Sequence, residues 1–153
     1  MKTGGELIVE CLEAQGVDRI FCVPGESYLA ALDGLHDASA IKTVICRQEG
    51  GAAYMAEAHG KLTGEPGIAM VTRGPGATNA SIGVHTAMQN SSPMILFVGQ
   101  IATWMRGREA FQEVDYRAFF GFKIWIEKSF AGFSVLEIIL SFLCFSFHLI
   151  PPA

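Results

Sequence analysis

The sequence predicts an α/β fold, a doubly wound and mainly parallel sheet with helices on both faces, three layers deep and flavodoxin-like. Three observations predict it. Apolar runs too short for helices stand at Arg19-Ile20-Phe21-Cys22-Val23, Ile68-Ala69-Met70-Val71 and Met94-Ile95-Leu96-Phe97-Val98. Each gives way to a turn rich in glycine or proline, and stretches of helical composition lie between them. The strand-turn-helix unit then repeats three times, the alternation that makes strands parallel and places their crossover helices on the two faces.

At 153 residues the chain suits one domain with a core large enough to fold alone. Half of its residues are hydrophobic and 17% are charged, as in a globular protein. The mean hydropathy of +0.34 is high for a soluble chain, and the excess lies in the carboxyl-terminal tail. A net charge of −4 without a basic cluster excludes a nucleic-acid partner. Cys11, Cys22, Cys46 and Cys144 are too scattered for a zinc site or a redox pair, and His36, His59, His85 and His148 are too dispersed for a metal site. Glu6, Glu10 and Glu13 interrupt any apolar core of a secretory signal, so a reducing cytoplasm is the expected location.

Taken in order, Thr3 and Glu6 have capping-box spacing, and Leu7, Ile8, Cys11 and Leu12 are expected to form the buried face of a helix that Gly16 ends. After the first strand, Pro24-Gly25 turns into a helix carrying Leu29, Ala30, Leu32 and Leu35. Val44 and Ile45 read as a buried strand that stops at Cys46-Arg47-Gln48-Glu49-Gly50-Gly51-Ala52-Ala53. Glu49 therefore falls at a strand's carboxyl end, where open α/β sheets place their ligands. The two glycines after it leave room for a flat ligand near the main chain, before a helix of small residues resumes. Without a ligand, the same glutamate would serve as an ordinary surface acid in a first helical turn, favoured by the helix dipole. The cluster Thr63-Gly64-Glu65-Pro66-Gly67 turns into the next strand. Beyond it Gly74-Pro75-Gly76 forms a tight loop, 77–89 reads as a helix, and Pro93 opens the fourth strand, which Gly99 closes.

Gly74-Pro75-Gly76-Ala77-Thr78-Asn79 copies most of the dinucleotide-binding fingerprint in a strand-to-helix context. Asn79 replaces its third glycine, and apolar 94–98 stands where the ribose-binding acid belongs, so a dinucleotide-binding module is the weaker reading. A rigid loop holding no ligand also accounts for these glycines.

Four motifs, Phe21-Cys22-Val23-Pro24-Gly25-Glu26, Arg47-Gln48-Glu49-Gly50-Gly51, Thr72-Arg73-Gly74-Pro75-Gly76-Ala77-Thr78-Asn79 and Phe111-Gln112-Glu113, occur in the order and spacing of one family. Over residues 3–121 the sequence resembles the amino-terminal, pyrimidine-binding domain of thiamine-diphosphate-dependent enzymes of the acetolactate synthase group. The resemblance implies that Glu49 hydrogen-bonds N1′ of the cofactor's aminopyrimidine and so promotes formation of the reactive ylid. It also implies that Pro24, Gly25, Gly74, Pro75, Gly76 and Asn79 line the cofactor, and that Phe111 and Gln112 lie on the substrate side. The implied activity is that of a 2-oxo acid carboligase or decarboxylase, and homo-oligomers are the family's habit.

The resemblance divides the chain into a thiamine-diphosphate domain at 1–121 and a divergent apolar tail at 122–153. The domain that carries the family's magnesium and diphosphate ligands has no match here, so magnesium is expected only in that missing domain, and the fragment is expected to be inactive alone. A non-catalytic partner-binding domain is the alternative. The tail, apolar over 130–150 but for Glu137 and His148, reads as a departure from the family's reading frame, as a membrane helix, or as a replacement core element. It is expected to be dispensable for folding, and its removal to raise solubility.

Overall fold

The structure is a computed structural model that describes residues 2–121 and, beyond them, the backbone of Trp125–Glu127 and Glu137–Ser141. Helix α1 (Gly4–Ala14) opens on the expected capping box, in which the Thr3 hydroxyl accepts from Glu6 N and the Glu6 carboxylate accepts from Thr3 N. Strand β1 (Arg19–Cys22) leads through a 3-10 turn at Glu26–Tyr28 into α2 (Leu29–Asp37). Strand β2 (Lys42–Ile45) feeds α3 (Glu49–Thr63), β3 (Gly67–Val71) feeds α4 (Pro75–Asn90), and β4 (Met94–Val98) feeds a loop with a short α5 (Tyr116–Phe120).

The first four strands are parallel in the order β2-β1-β3-β4, the doubly wound order in which the chain reverses direction between β1 and β3. Beside β4 runs antiparallel β6 (Glu137–Ser141), and beside that β5 (Trp125–Glu127). The sheet is thus mainly parallel, as expected.

Two cores follow from the period-2 alternation of the strands. On one face Ile20, Cys22, Ile68, Met70 and Phe97 pack under α1 and α2, with Val9, Leu12, Ala31 and Leu35. On the other Phe21, Ala69, Val71, Leu96 and Val98 pack under α3, α4 and α5. Strand β3 is buried at all five positions because both faces are covered. Helices α3 and α4 meet through small residues, and a Cβ on Gly83 would lie 2.5 Å from that of Ala53. The same economy brings β3 against α3, where a Cβ on Gly67 would lie 1.8 Å from the Ala56 carbonyl oxygen.

Two expectations need correction. The buried face of α1 is Gly5, Val9 and Leu12, whereas Leu7 and Cys11 are exposed. The cause is the close contact with α2: a Cβ on Gly5 would lie 1.8 Å from the Ala30 carbonyl oxygen, so the helix turns its glycine side inward. Strand β2 is not buried, since it lies at the sheet edge and Ile45 is 61% exposed; only Val44 packs on the α3 core.

Of the apolar tail, 130–136 and 142–150 lie outside the described residues. The described backbone between them is strand rather than helix, and it occupies the sheet position beside β4. Deleting everything after Gly121 would bare that β4 edge, which offsets the solubility gain expected from removing apolar residues. Among the described residues no helix is long and apolar enough to cross a membrane.

Candidate functional site at the carboxyl ends of the strands

Glu49 is the first residue of α3, reached directly from the end of β2 through Gln48, which caps the helix. Gln48 has extended backbone, and its side-chain oxygen accepts from Gly51 N at 3.0 Å. The Glu49 side chain is half-buried. Its Oε2 accepts a 2.9 Å hydrogen bond from Asn79 Nδ2. Its Oε1 accepts none among the described residues and faces Gly76, where an added Cβ would lie 3.6 Å from it. One oxygen is therefore held in place, and the other looks onto a backbone that carries no side chain.

Gly76 and Asn79 lie in the first turns of α4, which Pro75 begins at the position where a missing N–H is harmless. Gly74 precedes it with φ +56, left-handed backbone that suits glycine. The Gly74 N–H is not orphaned, because it donates to the Tyr116 hydroxyl at 2.6 Å.

The Pro24-Gly25 loop after β1 presses on the end of β3. A Cβ on Gly25 would lie 2.5 Å from Thr72 Cβ, and the Ser27 and Thr72 hydroxyls are 2.7 Å apart. Ser27, itself buried, also accepts from Arg73 N at 3.0 Å. Below them the Tyr28 hydroxyl donates to the Val23 carbonyl at 2.5 Å, and burial foremost pushes the phenol well above its ordinary range. Burial first, and then Cys46, push the Cys22 thiol up to about 11, so it is no thiolate nucleophile at neutral pH.

The loop after β4 reaches the same end of the sheet. Phe111 is 75% exposed, and its carbonyl accepts from Arg73 Nε at 3.2 Å. Gln112 has φ +64 and packs its backbone on Gly74. The Glu113 carboxylate accepts from Gly107 N at 2.6 Å and from Ala110 N at 3.0 Å, the Gly107 bond foremost, which holds it below the usual range.

The residues singled out in the sequence thus form two groups. Glu49, Gly76 and Asn79 are in mutual reach; Gly25, Phe111 and Gln112 gather on the turn at 72–74, with Pro24 beside them in the chain. That turn runs straight into Pro75 and Gly76, so the groups share a backbone rather than side-chain contacts. Sequence reasoning missed Gln48, Ser27, Thr72 and Tyr116. Hydroxyl and amide residues beside glycine turns are the only signal that could have found them, and it is a weak one.

A comparison with family models gives a match over residues 2–119 to the thiamine pyrophosphate enzyme, N-terminal TPP binding domain. The chain belongs to this family. It is 44% identical over 115 residues to the acetolactate synthase isozyme 3 large subunit of Escherichia coli, a match that covers 75% of this chain and 20% of that one. It is 39% identical over 113 residues to the mitochondrial acetolactate synthase catalytic subunit of Saccharomyces cerevisiae, covering 74% and 16%. It is 42% identical over 112 residues to a probable acetolactate synthase large subunit of Methanocaldococcus jannaschii, covering 73% and 19%. The chain therefore spans about a fifth of the length of these relatives, and it is a TPP-binding domain of the acetolactate synthase-like kind.

The family implies thiamine diphosphate, and the donor set fits its ring half. An unbonded carboxylate oxygen beside a side-chain-free backbone suits a flat heterocycle that presents a donor at its edge. Among the described residues no cluster of three His, Cys, Asp or Glu stands ready for a metal.

Proposed function

We propose that this TPP-binding domain supplies the pyrimidine half of the cofactor site of a 2-oxo acid carboligase or decarboxylase, with Glu49 as its catalytic residue. The observation that carries the proposal is the divided carboxylate, Oε2 held by Asn79 and Oε1 turned toward Gly76. When bound, thiamine diphosphate supplies the carbanion chemistry that amino acid side chains lack. Glu49 Oε1 accepts the hydrogen bond from the pyrimidine ring nitrogen and shares its proton. Asn79 keeps the carboxylate from rotating, which preserves that geometry. Gly74, Pro75 and Gly76 let the ring lie against the main chain, with Pro24 and Gly25 walling the far side. Phe111 and Gln112 face the substrate.

The remaining parts belong to the same proposal. The domain ends near residue 121, and 122–153 is a divergent tail. Magnesium and the diphosphate are held by a domain outside this chain, so the chain alone turns over no 2-oxo acid. The working assembly is a homo-oligomer in a reducing compartment such as the cytoplasm, which suits the free thiols of Cys11, Cys22 and Cys46. A second reading, a non-catalytic domain that docks on a longer relative, draws on the fifth of the relatives' length that the chain covers. The dinucleotide reading loses ground because Asn79, at the third-glycine position, is engaged with Glu49.

The test is rescue of a full-length relative whose own matching glutamate has been replaced. Added wild-type chain restores part of its turnover, whereas chain carrying Glu49→Gln does not. Equal rescue by both would remove Glu49 from the mechanism, and turnover by the pure chain would overturn the assignment of the diphosphate site elsewhere.

A further inference from the structure

The geometry points to Arg73 as a positioning residue, a strap that holds the Phe111-Gln112 segment over the carboxyl ends of the strands. Its place in substrate handling rests on the function proposed above; the strap itself does not.

Arg73 is fixed at its root, since its own N–H donates to Ser27 Oγ. Its side chain is only 15% exposed, and its Nη2 meets Glu26 Oε1 at 2.5 Å. From there Nε donates 3.2 Å to the Phe111 carbonyl. One planar guanidinium thus joins the loop after β1 to the loop after β4, which a fork of donors can do and a single ammonium cannot.

The segment it holds has little else to fix its place. The Phe111 ring is three-quarters exposed and gains little from burial. Glu113 folds 107–113 on itself through the Gly107 and Ala110 N–H groups, which makes the segment compact but does not dock it. Docking falls to the Arg73 bridge and to the Gln112 backbone on Gly74, where an added Cβ would stand 2.6 Å from the Gln112 carbonyl oxygen. Arg73 therefore decides where Phe111 and Gln112 stand, without touching the reacting atoms.

The experiment is amide hydrogen exchange on the full chain. Arg73→Ala raises exchange within 107–113 by roughly tenfold or more, the effect of losing a charge-assisted hydrogen bond in a local opening, while the global unfolding midpoint moves little. Arg73→Lys, able to reach only one acceptor at a time, recovers part of the protection. Glu26→Gln gives a smaller rise, and salt narrows its difference from wild type because Glu26 is exposed. Unchanged exchange in Arg73→Ala, or a rise that extends equally through β3 and α4, overturns the strap. In the rescue assay Arg73→Ala raises KM for the 2-oxo acid and leaves kcat near that of wild-type rescue. An unchanged KM alongside freed 107–113 overturns the positioning role. If wild-type chain gives no rescue, the proposed function has failed, and the exchange result alone decides the strap.

Discussion

Glu57 offers a sharp test of what keeps Glu49 in place. It lies two turns along α3 from Glu49, is only 6% exposed, and holds the helix to the end of α4 and the start of the β4 connection. Its Oε1 accepts from Asn90 Nδ2 at 3.0 Å and from Ser92 Oγ at 2.8 Å. Burial pushes this carboxyl up, but the hydrogen bonds from Asn90 and Ser92, aided by Lys61, outweigh it and hold it below the ordinary glutamate range. Hydrogen bonds to a charged acceptor contribute about 1.5–3 kcal/mol each, and part of that offsets the desolvation of the carboxylate. Glu57→Ala leaves the buried Ser92 hydroxyl without its acceptor and is expected to cost about 2–4 kcal/mol. Glu57→Gln keeps an acceptor oxygen and is expected to cost about half as much. The sign with pH follows from the lowered folded-state value. The contribution is full above the unfolded glutamate pKa and is lost as pH falls through the folded one, so the gap between wild type and Glu57→Gln closes on acidification. Urea unfolding at neutral pH and at acid pH measures both effects. A Glu57→Ala variant within about 0.5 kcal/mol of wild type at neutral pH would refute the reasoning, as would a gap that widens in acid.

Other parts of the fold give further expectations. Gly83→Val drives a side chain into Ala53 and the Tyr54 backbone and is expected to destabilise by about 1–3 kcal/mol in thermal or urea unfolding; an unchanged midpoint would mean that α3 and α4 are not packed this closely. Of Cys11, Cys22 and Cys46, only Cys11 is exposed, so a thiol reagent labels Cys11 under native conditions, and Cys22 and Cys46 only on unfolding, as peptide mass spectrometry would read. Chain ending at Gly121 retains both cores within 2–121 and is expected to keep a single cooperative unfolding transition; a broad, non-cooperative one would make the antiparallel strand beside β4 part of the folding unit.

The parallel strands were legible because apolar runs bounded by glycine and proline leave few other options, and Gly67–Val71 and Met94–Val98 lie within a residue of their expected places. Local chemistry was legible too: the capping box at Thr3 and Glu6 needs only its own residues. What could not be read was anything set by distant contacts. The inward face of α1 depends on the approach of Ala30 to Gly5, and the exposure of Ile45 depends on β2 lying at an edge, an outcome of strand order rather than of its own four residues. The site divided the same way. Glu49 was legible from a strand's end and two glycines, but its partner Asn79 stands 30 residues on and first looked like a defect in a nucleotide fingerprint. Arg73 carried no sequence signal at all, since its meaning comes from Glu26 and Phe111, which are distant in the chain.

Strand order also explains where the opening lies. In a 2-1-3-4 sheet the natural crevice is between the ends of β1 and β3, where the connections part to opposite faces. Here that crevice is closed: the Ser27 and Thr72 hydroxyls bond across it, Gly25 is pressed on Thr72, and a Cβ on Gly99 would lie 2.0 Å from Ser27 Oγ. Space remains one step to the side, where α3 and α4 begin on the same face of the sheet and where Gly76 withholds a side chain from the Glu49 carboxylate. The filled crevice turns from ligand site into buttress. It fixes the 72–74 turn from below, and that turn in turn sets Gly76 opposite Glu49 and carries Arg73 out to Phe111.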